Sequence, residues 1–194
     1  MKVFQECFII AEDIETAVNK LSNEFRKVGY DVEYAENAGP NTLTFSKQGI
    51  SIFLNIEKLK VINILDSNVR YIDMDRYNEL LREFGEIIKS IGFEVQISKD
   101  EITIEERLSL ESAKAFLAFS SLANKSTENS HPCDEMRWFE FLYSMIKNDM
   151  GNELSYDEIK AFLLEQGWME NIACELARDM EYGLSAMKYA KGKL

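Results

Sequence analysis

The chain is poor in the residues that most often hold metals or act as nucleophiles. It has one histidine, His131, and three cysteines, Cys7, Cys133 and Cys174, which are widely spaced and form no CxxC pair. A structural zinc site needs about four closely placed ligands, and scattered cysteines in odd number do not form a disulfide framework. We therefore predict no metal site, and three reduced thiols of the kind found in cytoplasmic proteins.

The sequence also lacks the glycine patterns and the long apolar runs that mark cofactor sites and membrane spans. Its nine glycines form neither GxGxxG nor a P-loop, so no phosphate cradle is recognisable. No apolar run reaches the roughly 18 to 20 residues that cross a bilayer, and Glu6 comes too early for a signal peptide. We expect no cofactor, no membrane association and a cytoplasmic location.

Basic side chains are the minority. The chain has 22 lysines and arginines against 34 acidic residues, a net charge of −12, and both halves are acidic. Direct nucleic-acid binding needs clustered positive charge, so we do not expect it. The negative charge has two alternative explanations: it keeps the protein soluble, or it serves to bind a basic protein partner.

The strongest positive signal is an internal sequence repeat, which we call the echo. Residues 28–34, VGYDVEY, return as residues 91–97, IGFEVQI. Each copy follows an amphipathic helical pattern, and its glycine stands where a helix ends. Extended backwards, the echo aligns residues 8–10 with 71–73 as a first strand; extended forwards, it predicts a third strand at 42–45 in one copy and 102–104 in the other. The first half is thus predicted to be an internally duplicated βαββ-type unit.

Two further apolar runs, residues 50–56 and 59–65, are short and rich in β-branched residues, which favours strands. The predicted fold class is α+β: an antiparallel or mixed sheet of about six strands with two helices on one face, followed by a C-terminal unit of three to four helices. The predicted domains are a duplicated sheet domain at 1–106, a connecting helix and polar linker at 107–130, and a helical domain at 131–194.

The loop at residues 147–158 has the rhythm of a calcium-binding EF-hand without its ligands. Lys147, Gly151 and Asn152 stand at positions one, five and six, where calcium needs two oxygen ligands and a glycine. We read the segment as an ordinary loop before a helix, because Ser155 and Glu158 form the pattern of a capping box.

The helix predicted at 131–148 is apolar on most sides, which indicates burial or a partner. Tryptophan and arginine are enriched where interfaces carry their binding energy, and both types occur in this part of the chain. Core aromatics, with Arg137 paired to a neighbouring acid, are the alternative. The candidate binding residues are Arg137, Trp138, Tyr143, Trp168, His131 and Asp134.

The functional prediction is a non-enzymatic cytoplasmic protein that binds another protein, such as an acidic inhibitor, an immunity-type protein or an adaptor. A homodimer through the apolar helix or a sheet edge is a further possibility that the sequence leaves open. The alternative is a small-molecule or peptide-binding domain, or a hydrolase without a recognisable motif, with its site between the sheet and the helical unit.

Overall fold

The computed structural model describes residues 1–35, 41–123, 125 and 132–192. These residues divide into two compact units. The sheet unit comprises residues 4–100, and the helical unit comprises residues 1–3 together with 101–194. Residues 36–40, His131 and most of the polar part of the predicted 107–130 linker lie outside the described residues.

The described residues of the sheet unit form six strands and two helices. In chain order these are β1 (Cys7–Ile10), α1 (Ile14–Lys27), β2 (Asp31–Tyr34), β3 (Thr42–Lys47), β4 (Ile50–Asn55), β5 (Lys60–Asp66), α2 (Met74–Ser90) and β6 (Glu94–Ile97). The strand order is β2-β3-β4-β5-β1-β6, and every neighbouring pair is antiparallel. The α+β class with a six-stranded sheet is therefore confirmed, and the sheet is antiparallel.

An aromatic cluster joins both helices to the sheet. Phe25 of α1 and Phe84 of α2 have ring centroids 5.0 Å apart, and both rings pack on Phe45 of β3, at 4.6 and 5.3 Å. All three side chains are almost completely buried. Alternation along β3 and β4 turns Leu43, Ile52 and Leu54 toward the same core.

Helices α1 and α2 end as the glycine pattern predicts. Gly29 and Gly92 have φ angles of 85° and 88°, a left-handed conformation that glycine adopts without a Cβ penalty. A four-residue strand, β2 or β6, follows each glycine. These matched helices and strands agree with the echo, while the duplication itself stays a prediction.

Two predicted strands are wrong. Residues 71–73 form a loop that leads into α2, where Asp73 caps the helix by accepting from the Arg76 N–H at 2.8 Å. Residues 102–104 also form no strand, because Thr103 and Glu106 make a capping box that starts a short helix. In both cases a local side-chain cap outweighs the apolar content that suggested a strand.

The helical unit contains α3 (Ile104–Arg107), α4 (Leu110–Leu122), α5 (Pro132–Asn148), α6 (Tyr156–Glu165) and α7 (Glu170–Lys191). A helical C-terminal part is therefore confirmed, with the short α3 in addition to the predicted helices. Its core is rich in aromatic rings; Phe116 of α4 stacks on Phe141 of α5 at 4.4 Å and lies 4.7 Å from Phe162 of α6. Within the described residues, no helix is both long and apolar enough to cross a bilayer.

Candidate functional site

Helix α5 carries four of the six predicted binding residues, and the structure separates them by face. Its inner face packs into the helical core through Trp138, Phe141, Leu142, Met145 and Ile146. These positions recur at spacings of three and four, which is one side of an α-helix. This inner face of α5 is therefore part of the core of the helical unit.

Both predicted tryptophans lie in the core. Phe119 of α4 packs between them, with ring-centroid distances of 4.8 Å to Trp138 and 5.4 Å to Trp168. The Trp168 indole Nε1–H donates to the Ser120 carbonyl at 3.3 Å. Both side chains are buried, so they contribute to the stability of the unit, and a direct binding role for them stays a prediction.

Arg137 and Asp134 form an ion pair one turn apart on α5. The guanidinium Nη1 lies 2.9 Å from the Asp134 carboxylate, which is nearly buried, whereas Arg137 is partly exposed. This pair is the alternative that the sequence left open for Arg137. Salt bridges at this spacing contribute only a few tenths of a kcal/mol when exposed, and here the pair also neutralises a carboxylate that has lost most of its contact with water.

The outer face of α5 presents a row of large apolar side chains. Met136, Phe139 and Tyr143 are 60%, 58% and 60% exposed, respectively. Their i, i+3, i+7 spacing places them on one face, over about 10 Å of helix length. We call these three residues the α5 stripe. Glu135 and Glu140, exposed one turn from Phe139 and Met136, border it with negative charge, and Lys147 is exposed one turn beyond Tyr143.

Only Tyr143 of the α5 stripe is among the predicted binding residues. Met136 and Phe139 were missed because the helix is apolar on most sides, so its sequence does not reveal which apolar residues face solvent. Their spacing shows that Met136, Phe139 and Tyr143 share one face, but it does not show whether that face meets solvent.

The loop between α5 and α6 is held by Arg107, a residue to which the sequence gave no role. Its Nε and Nη2 donate to the two Glu158 carboxylate oxygens at 2.8 and 3.2 Å. Nη1 donates to the Asn152 backbone and side-chain oxygens, and Nη2 also donates to the Glu153 carbonyl. All five guanidinium N–H groups therefore have partners. We call this set of hydrogen bonds the Arg107 clasp, and it fixes the segment whose sequence resembled a calcium-binding loop.

Asp149 anchors the same loop to the start of α4. Its carboxylate accepts from the Ser109 N–H at 2.9 Å and from the Ser109 hydroxyl at 2.8 Å. Burial alone would raise the pKa of Asp149, but hydrogen bonds from Ser112 and Ser109 outweigh it and lower the pKa below its usual value. The carboxylate is therefore used to stabilise the loop as an anion.

The sheet unit contains a cavity beside β5. It has a volume of about 420 Å³, within the range of small ligand sites. We call it the β5 cavity. Its walls come from β5, the loop before α2, the segment before β1 and α2 itself; the lining residues are Phe4, Asn63, Ile64, Leu65, Asp66, Val69, Arg70, Tyr71, Ile72 and Tyr77.

Aromatic side chains form one wall of the β5 cavity. Phe4 and Tyr77 meet edge to face, with ring centroids 5.1 Å apart. Burial, with smaller contributions from Cys7 and Glu6, raises the pKa of Tyr77 to about 12. The Tyr77 hydroxyl therefore stays protonated at neutral pH, and it remains a hydrogen-bond donor.

The described residues include a cysteine thiol, that of Cys7, whose pKa is strongly raised. No group of three or more His, Cys, Asp or Glu side chains within them could hold a metal ion. Burial raises the pKa of the Cys7 thiol to about 11, with a smaller opposing effect from Lys89, so this thiol is protonated and a poor nucleophile.

No protein-family model, curated protein or solved structure compared with the chain matches it.

Proposed function

We propose that the chain is a non-enzymatic cytoplasmic protein that acts by binding another protein, as an acidic inhibitor, an immunity-type protein or an adaptor does. The observation that carries this proposal is the α5 stripe. Three large apolar side chains on one exposed helix face form the pattern with which a helix inserts into an apolar groove of a partner. Single exposed apolar residues are ordinary, but an aligned set is not.

The free energy gained by burying the α5 stripe in a partner shows that the complex needs further interactions. Full burial of a large apolar side chain contributes about 1.5–3 kcal/mol, and these three are 58–60% exposed. The stripe could thus supply about 3–5 kcal/mol, whereas a micromolar complex needs about 8 kcal/mol. Polar contacts at the border have to provide the rest.

The charge of this chain indicates the sign of the charge that surrounds the partner's apolar groove. With a net charge of −12 and Glu140 exposed beside the stripe, the chain attracts a positively charged surface. We therefore propose a partner with an apolar groove bordered by lysine or arginine side chains. Such charges raise the association rate and help to select the partner.

The test places a photo-crosslinking amino acid at position 139 of the full chain, with position 182 as the control. Tyr182 on α7 is also highly exposed and belongs to the same unit. We expect one basic protein to be crosslinked from position 139 and not from 182, and to be lost when the second variant Met136→Asp is added. Equal crosslinking from both positions, or a product made only of two copies of this chain, would contradict the proposal.

A second candidate function is a small-molecule or peptide-binding domain. The β5 cavity is the specific observation that favours it, because its apolar walls enclose a few polar groups as ligand sites do. This function could coexist with protein binding by α5.

A further inference from the structure

The ladder between β5 and β1 is almost absent. The two strands share a single register pair, Phe8 with Lys60, supported by the Ile9 N–H bond to the Leu59 carbonyl at 2.8 Å. Strand β5 continues to Asp66, but the chain before β1 does not follow it. The sheet is thus interrupted along most of β5, on the side that faces β1.

The segment before β1 is held elsewhere in the sheet unit. The Gln5 N–H donates to the Asn78 side chain at 2.8 Å, and the Glu6 N–H donates to the Ser98 hydroxyl at 2.8 Å. In an uninterrupted antiparallel ladder, the segment that contains Phe4 would run beside the part of β5 that contains Ile64. Both of these residues line the β5 cavity, so the cavity occupies the place of the missing ladder.

The hydrogen-bond pattern shows which backbone groups of β5 face this gap. The Ser67 N–H donates to the Gly49 carbonyl at 2.8 Å, which makes that pair a hydrogen-bonded one. Hydrogen-bonded and non-hydrogen-bonded pairs alternate along an antiparallel ladder. Ile64, which is paired with Ile52, therefore directs its N–H and carbonyl away from β4 and toward the gap.

The Ile64 N–H has a substitute partner from its own strand. It donates to the Asn63 side-chain oxygen at 2.9 Å. A neighbouring side chain thus satisfies a donor that a continuing β1 would have satisfied. Such a local bond is easily exchanged for a strand bond, because both are single N–H to carbonyl hydrogen bonds of similar energy.

From these contacts we infer that the β5 cavity binds an extended peptide segment, which pairs with the free side of β5 as an added strand. The peptide N–H and carbonyl groups bond to the backbone of Ile64, in place of Asn63. Alternate peptide side chains enter the cavity, where Phe4, Val69 and Tyr77 offer apolar and aromatic contacts. Main-chain bonds supply affinity in this mode, and side-chain pockets supply selectivity.

This inference rests on the second candidate function, whose ligand it specifies, and it is independent of the proposal for α5 because it concerns another unit and other residues. The probe is a phage-displayed library of random linear peptides, selected against the full chain. The best peptide is then synthesised, and its affinity is measured for the wild type, for Val69→Arg and for Val28→Arg. Val28 is the matched control, since both valines are 49% exposed and lie in the sheet unit.

We expect Val69→Arg to weaken binding by about tenfold or more, which is about 1.4 kcal/mol, and Val28→Arg to leave it unchanged. N-methylation of the peptide should abolish binding at alternate positions only, since one side of a strand faces β5. Amide hydrogen exchange at Ile64 should slow when the peptide binds. Failure to select a peptide, equal effects of the two arginine variants, or tolerance of N-methylation at every position would overturn the inference.

Discussion

Replacing Arg107 with alanine should destabilise the helical unit by about 3–5 kcal/mol, the usual cost of removing one partner of a buried ion pair. The side chains of Arg107 and Glu158 are 16% and 5% exposed, respectively. Without the guanidinium, the Glu158 carboxylate stays buried with no opposite charge. Most of the expected loss comes from this uncompensated charge.

The remaining bonds of the Arg107 clasp contribute less. Three of them go to oxygens of Asn152 and Glu153, at 2.8 to 3.0 Å. The Asn152 oxygens lie near the surface, where water can replace the lost donor, so each bond contributes about 1 kcal/mol or less. The double variant Arg107→Ala with Glu158→Ala should therefore be more stable than the sum of the single effects predicts, with a coupling energy of about 1–3 kcal/mol.

Urea unfolding followed by tryptophan fluorescence is the appropriate assay. Both tryptophans, Trp138 and Trp168, lie in the helical unit, so the signal reports on that unit alone. Lys160→Ala is the matched control, because Lys160 and Glu170 form a salt bridge in the same unit, with side chains that are 28% and 74% exposed. Such exposed pairs contribute about 0–1 kcal/mol. A loss of less than about 1 kcal/mol for Arg107→Ala would refute the reasoning.

Three further predictions concern stability, pH and thiol reactivity. Trp138→Ala and Trp168→Ala should each destabilise the helical unit by about 3–5 kcal/mol, whereas Phe139→Ala, on the exposed face of α5, should change its stability by about 0.5 kcal/mol or less in the same urea assay. The pKa of Asp149 is lowered in the folded protein, so its contribution to stability is complete above the unfolded pKa of about 4 and is lost as the pH falls through the folded pKa. Asp149→Asn should therefore flatten the acid limb of the plot of unfolding free energy against pH. An unchanged limb would count against this assignment. The Cys7 thiol, with a pKa of about 11 and no exposed surface, should react with iodoacetamide at neutral pH only after unfolding, as measured by mass spectrometry of the labelled peptides.

The parts of the fold that follow local periodicity could be predicted from the sequence. Helices α1 and α2 have clear apolar faces and end before Gly29 and Gly92, and β3 to β5 are short runs rich in β-branched residues. The errors at 71–73 and 102–104 arose where a cap at Asp73 or Thr103 decides the structure. The echo suggested strands there, although a few apolar residues do not outweigh a helix start.

The candidate sites depend on contacts between distant residues, which no local pattern contains. Arg107 and Glu158 are 51 positions apart, and nothing in the sequence around Arg107 distinguishes it from a solvated surface arginine. The β5 cavity likewise arises because the segment before β1 bonds to Asn78 and Ser98. On α5, the sequence could predict an apolar helix but not that Met136 and Phe139 would lie outside the core.

The chain enters and leaves the sheet unit at neighbouring points of the helical unit. Residues 1–3 belong to the helical unit, where Lys2 pairs with Glu101 and the Ile102 N–H donates to the Met1 carbonyl at 3.0 Å. The sheet unit is thus an insertion within a helical unit that is discontinuous in sequence. During synthesis, residues 1–3 cannot form these contacts until residue 101 and the residues after it have been synthesised, whereas residues 4–100 can fold before then. The same geometry would allow a short turn to join Val3 to Glu101, making the helical unit one continuous stretch of chain.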